Sequence, residues 1–112
     1  MITLETLKEY GADTDEALAR CMNNADFYVM LVKKSLDDAN YDRLKEAVAA
    51  GNYEEGFSAA HALKGVVTNL SLTPLSDPII EITESLRAGE DRDYSSLLER
   101  IDDQLAKLKA LA

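Results

Sequence analysis

Residues 53–70 read YEEGFSAAHALKGVVTNL. Successive residues of a helix turn by about 100°, so Phe57, Ala60, Leu63, Val67 and Leu70 fall in one sector and form an apolar stripe suited to a core. Asn52 and Glu55 have the spacing of a capping pair, in which a short polar side chain accepts from free amides at a helix start. One long helix is therefore expected from Tyr53 to about Leu70. The same turning puts His61, the chain's single histidine, well away from the centre of the stripe. Its neighbours there are Ser58, Lys64, Gly65 and Thr68, all polar or small, so the imidazole is expected to point outward.

Towards the N terminus, apolar residues recur at the same three- and four-residue spacing. No segment alternates with a period of two between turn signals, so the class is all-α. A short helix over about Thr3–Tyr10 stops at Gly11. Asp13, with Glu16 three residues on, caps a helix through about Met22, and Asn23 and Asn24 break it. A third helix covers roughly Ala25–Asp38 and buries some of Phe27, Tyr28, Met30, Leu31 and Leu36. A fourth runs from about Tyr41 to Ala50 and ends at Gly51.

Beyond Leu70 stand Pro74 and Pro78, and proline is best tolerated in a first helical turn. Thr73 with Pro74, or Ser76 with Pro78, can each open the sixth helix; the earlier start makes Pro78 a kink in its first turns. That helix continues through Ile79, Ile82 and Leu86 and ends at Gly89. Asp93 caps a last helix with a stripe of Leu97, Leu98, Ile101, Leu105 and Leu108. Short connections between substantial helices favour an antiparallel four-helix bundle, with the short additional N-terminal helices packed across one end. At 112 residues, a single domain over residues 1–112 is expected.

Apolar residues make up 46% and charged residues 29%, with two prolines and five glycines, a balance that argues against disorder. Twelve Lys and Arg against 21 Asp and Glu give a net charge of -9, which repels nucleic acid and anionic membrane surfaces alike. The longest apolar run, Phe27–Val32, falls far short of the roughly 18 to 20 residues that span a bilayer. Glu5, Lys8 and Glu9 interrupt the region where a signal peptide would be apolar. The expectation is a cytoplasmic protein, without nucleic acid or membrane as partner, acting as a monomer. Cys21 is the lone cysteine, so an internal disulfide is impossible. With one histidine and one cysteine on different helices there is no clustered metal-ligand set, and no metal site is expected.

His61 gains meaning from its neighbours. Gly65 stands four residues later in mid-helix, where glycine costs about 1 kcal/mol relative to alanine; clearance beside the imidazole explains it, and tight helix packing is the alternative. Lys64, three residues on, places a cation within reach of any anion carried by the ring. Ala60 and Ala62 flank the ring with minimal side chains, leaving room for a partner surface. A neutral imidazole nitrogen is a competent nucleophile near neutral pH.

The run Ala60-His61-Ala62-Leu63-Lys64-Gly65, followed by Asn69-Leu70, resembles the A-H-x-L-K-G signature of histidine phosphotransfer (HPt) domains and their frequent N-L-G continuation. The resemblance extends through Leu72, Leu75, Ser76, Ile82 and Leu86-Arg87-Ala88-Gly89, and weakly into Asp13–Leu36, covering roughly residues 13 to 90. Ser71 departs from it where the family often has glycine, Val67 where a smaller residue is common, Pro78 where leucine is usual and Thr83 where glutamate is frequent. The first three departures concern packing and helix geometry, and they bear most on the junction after Leu70.

The resemblance implies a bundle that presents His61 to receiver domains of response regulators. His61 would accept a phosphoryl group from a receiver aspartate or a sensor or hybrid histidine kinase, and relay it to another receiver in two-component signalling. Lys64 would balance the phosphoryl charge and Gly65 give clearance, with Ser58, Ala62 and Thr68 in the receiver-docking surface. No cofactor is expected on this chain; magnesium belongs to the partner receiver. There is no G-x-x-x-x-G-K-[ST] loop and no glycine-rich dinucleotide turn, so the chain is expected to be a phosphoryl carrier, without ATP binding and not an enzyme. The alternative is a non-catalytic helical adaptor that docks receivers without phosphotransfer; His61, Lys64 and Gly65 together speak against it. The initial Met1 and the lack of long linkers favour a complete, separate protein over a fragment of a larger kinase.

Overall fold

The computed structural model describes residues 1–112. They form seven helices and no strand: α1 Leu4–Tyr10, α2 Thr14–Arg20, α3 Ala25–Ser35, α4 Asn40–Ala49, α5 Tyr53–Asn69, α6 Thr73–Arg87 and α7 Ser95–Lys109. The long helix α5 lies between α4 and α6, and α7 packs on α6. Short connections reverse the chain between these neighbours, giving the antiparallel bundle expected from the periodicity. Leu63 and Val67 of α5, Leu75, Ile79 and Ile82 of α6, and Leu97, Ile101 and Leu108 of α7 are almost wholly buried together.

The two short helices sit at the end of the bundle where α5 passes into α6. Asp13 N–H donates to Ser71 O at 3.0 Å, and Arg20 donates to Asn69 O at 2.9 Å and to Ser71 Oγ at 2.8 Å. Glu16 accepts from both Arg20 and Ser71. This group caps the carbonyls that α5 leaves free at its C-terminal end. Ser71 lies in the left-handed region, φ 53°, where a side chain is normally unfavourable. The hydroxyl's two bonds offset that strain, which accounts for a serine where glycine is conformationally easier. Gly11 serves the same end differently: at φ 115° it closes α1, and a Cβ there would meet Pro74 Cγ at 3.0 Å.

The caps differ in detail from the expected pairs. Asp13 and Asn52 accept from the amides of Glu16 and Glu55, but neither glutamate reaches back. Glu16 turns to Arg20 and Ser71, and Glu55 pairs with Arg43. A reciprocal capping box exists only at Thr3 and Thr6. Helix α2 stops at Arg20, short of Met22, because Met22 and Asn23 both take positive φ. Helix α3 stops at Ser35, short of Asp38, whose carboxylate instead accepts from Asn40 N–H ahead of α4.

Helix α6 takes the earlier of its two starts, one residue earlier still than Thr73 as cap: Leu72 is the N-cap and Pro74 sits in the first turn. Pro78 is inside the helix and buried, and it has no N–H to donate to the Pro74 carbonyl four residues earlier. Asp93 accepts from Ser95 N–H, one position outside the Tyr94 cap of α7. On α3 Tyr28 and Val32 are buried, as is Leu36 at its C-cap, whereas Phe27 and Met30 are exposed.

Candidate functional site

His61 lies in the middle of α5 and is exposed. Its face of the helix looks out between α4 and α6. On the α6 side stand Phe57 and Lys64; on the α4 side stand Ser58, Ala62 and Gly65. The imidazole leans on the ring of Phe57, one turn earlier, with centroids 5.5 Å apart and planes inclined by 31°. Phe57 is therefore not a full member of the core stripe in which its spacing placed it. It is half-buried, and its ring is shared between the core edge and His61.

Two cations approach from the α6 side. Lys64 Nζ lies 3.5 Å from Glu84 Oε1, and Arg87 Nε lies 3.4 Å from Glu84 Oε2. The Arg87 guanidinium also stands 5.2 Å from the centroid of the Phe57 ring, within cation–π range. Imidazole, aromatic ring, arginine, carboxylate and lysine thus form one chain of contacts across α5 and α6.

The α4 side is open. A Cβ built on Gly65 would meet no atom within 4 Å outside its own helix backbone, so tight helix packing does not explain this glycine. Ala62 is exposed, but Ala60 is fully buried; it belongs to the core and gives no room for a partner, which corrects the expectation that both alanines flank the ring. Ser58 is exposed and its Oγ accepts from Arg43 Nη2 at 3.1 Å. Thr68 is half-buried and donates its hydroxyl back to Lys64 O at 2.6 Å.

Of the residues singled out from sequence, His61, Lys64, Gly65, Ser58, Ala62 and Thr68 share one face of α5. Phe57, Glu84 and Arg87 were not singled out for the site. Phe57 carried a signal, since it stands four residues before His61 and such residues are neighbours on a helix; its apolar character assigned it to the core instead. The contacts of Glu84 and Arg87 depend on how α6 is rotated against α5, which no local spacing reveals.

The arrangement offers an accessible ring nitrogen, a lysine one helical turn along, and an open notch through which a partner can approach. A scan against protein-family models matches the Hpt domain over residues 4–111. The chain belongs to the Hpt family. Searches of curated proteins and of solved structures found no match. Membership makes this Hpt domain a phosphotransfer component of two-component phosphorelay signalling, whose partners are receiver domains and histidine kinases. No helix of this Hpt domain is long and apolar enough to cross a membrane.

Proposed function

We propose that His61 is the phosphoacceptor, taking a phosphoryl group from a receiver aspartate or a histidine kinase and passing it to a second receiver. In the first direction the imidazole lone pair attacks phosphorus. The N–P bond forms as the acyl-phosphate P–O bond breaks, and the departing pair returns to the receiver's carboxylate. Lys64 balances the charge now carried by the ring, and Gly65 leaves the notch through which the receiver's acidic pocket, with its own magnesium, approaches. Ser58, Ala62 and Thr68 border that approach; Ala62 and Ser58 offer the more open surface, since the Thr68 hydroxyl is turned to its own helix.

The observation that carries this reading is an exposed imidazole in mid-helix with a lysine one turn on and nothing above Gly65. Positioning and access are most of what phosphoryl transfer asks of a carrier, because the chemistry needs little covalent help from the protein.

The test is to incubate the chain with a receiver domain charged by acetyl phosphate carrying labelled phosphorus, with magnesium. Label on the chain that is acid-labile and base-stable is expected, and it should vanish in His61→Gln while helical content and melting stay unchanged. Label that persists in His61→Gln would place the acceptor elsewhere. No label on the wild type from any of several receivers would favour a docking adaptor.

A further inference from the structure

Glu84 occupies a position that phosphate acceptance alone does not explain. Its two carboxylate oxygens divide between two cations, Oε1 at 3.5 Å from Lys64 Nζ and Oε2 at 3.4 Å from Arg87 Nε. Arg87 is three residues away on the same helix, so that contact is local. Lys64 comes from the neighbouring helix, and its pairing draws the ammonium towards α6. The side chains of Glu84 and Lys64 are 52% and 32% exposed, and ion pairs in such surroundings are weak and exchange partners readily. A phosphoryl group on the ring, carrying close to two negative charges and three acceptor oxygens, outcompetes a single carboxylate for that ammonium.

We infer that Glu84 is the counter-ion that holds Lys64 before transfer and releases it when His61 is phosphorylated, and that it thereby sets how firmly His61 retains the phosphoryl group. The inference rests on the reading of His61 as the phosphoacceptor. Two effects act in the same direction. The Lys64–Glu84 contact must open before Lys64 can face the phosphoryl oxygens, and the carboxylate it leaves is a like charge that opposes a further anion on that side of α5. Arg87, at 3.4 Å on the same helix, offers the carboxylate a partner there once Lys64 turns away. Both effects loosen phosphohistidine, which suits a carrier that has to pass its charge on. Glu84 is thus a positioning residue acting through Lys64, without contact to the reacting atoms.

The experiment measures the ratio of phosphorylated chain to phosphorylated receiver at equilibrium, with magnesium, for four proteins: wild type, Glu84→Gln, Lys64→Ala and the double variant. Glu84→Gln should shift the ratio about two- to fivefold towards phospho-His61, the range expected from an exposed ion pair. In the Lys64→Ala background the same substitution should shift it by less than about half as much, because the partner it releases is gone. A general structural disturbance would lower melting and would not depend on Lys64, so melting curves accompany each protein. An unchanged ratio in Glu84→Gln, or an equal shift with and without Lys64, would overturn the role of Glu84 while leaving His61 as the acceptor. A wild-type chain that takes no label would overturn the phosphoacceptor reading and this inference with it.

Discussion

The Phe57 ring lies 5.5 Å from the His61 imidazole, centroid to centroid, and the Arg87 guanidinium lies 5.2 Å from that same ring. An aromatic side chain at the rim of the core therefore holds an exposed ring from one side while a cation holds it in turn. A side chain with this support has given up rotamer freedom before any partner arrives.

Phe57→Leu should keep the apolar body and lose the stacked ring. Aromatic pairs contribute about 0.5–1.5 kcal/mol beyond their area, so transfer to His61 should slow by about two- to tenfold, with melting little changed. Single-turnover transfer from a charged receiver measures it. An unaltered rate would mean that the partner, and not Phe57, orients the imidazole.

Gly65 gives a prediction of opposite signs. A helix interior prefers alanine to glycine by about 1 kcal/mol, and a Cβ at this position meets nothing within 4 Å. Gly65→Ala should therefore raise the unfolding midpoint by a few degrees. Gly65→Gln should fold as well as the wild type yet slow transfer markedly, because its side chain occupies the notch. Thermal melts and transfer rates on the same samples check both. A stable Gly65→Gln variant with full transfer would remove clearance as the reason for the glycine.

What periodicity could show in advance follows a physical boundary. The class, the long helix and the outward position of His61 depend on spacing within one helix, and spacing is written in the chain. The sequence extends α2 and α3 too far because Cys21, Met22, Leu36 and Asp37 bring no proline or glycine to announce a stop. Phe57 was ambiguous because it lies where the apolar stripe meets the exposed face, so one ring serves both. Glu84 leaves no local trace because its contact with Lys64 depends on the seating of α6 against α5, beyond the left-handed turn at Ser71 and with Pro78 buried within α6. In the sequence Ser71 and Pro78 stand out only as anomalies of packing, and their consequence for the site depends on how the helices meet.

The clamp at the end of α5 should make the fold sensitive to acid. Hydrogen bonds from Arg20 first, and from Ser71, hold the Glu16 carboxyl below its ordinary value of 4.5. Arg43 likewise lowers Glu55, and Ser95 lowers Asp93. A carboxyl whose folded pKa is depressed stabilises the fold above its unfolded value, and that contribution is lost as pH falls through the folded one. Urea unfolding followed downward from neutrality should thus show stability falling below about pH 4.5. Glu16→Gln should begin less stable at pH 7 and fall less steeply. Parallel acid limbs in the two proteins would show that the Arg20 clamp does not contribute.

Tyr28 makes the complementary case at high pH. Its hydroxyl donates to Leu70 O at 2.9 Å inside the core, where burial, followed by the nearby Cys21 and Asp13, pushes its pKa up to about 12. Tyr28→Phe leaves the Leu70 carbonyl without that donor and should cost about 1–2 kcal/mol at neutral pH. A group whose folded pKa is raised contributes fully below its unfolded value, near 10 for tyrosine, and the contribution drains away as pH rises towards the folded value. The stability difference between wild type and Tyr28→Phe should therefore stay constant from pH 7 to about 9 and narrow above about 10. Tyr10 and Tyr41, also raised mainly by burial, weaken both proteins equally in that range and cancel in the difference. Urea midpoints at neutral and alkaline pH measure the narrowing; a difference that held steady through pH 11 would show that the Tyr28 proton is not linked to folding.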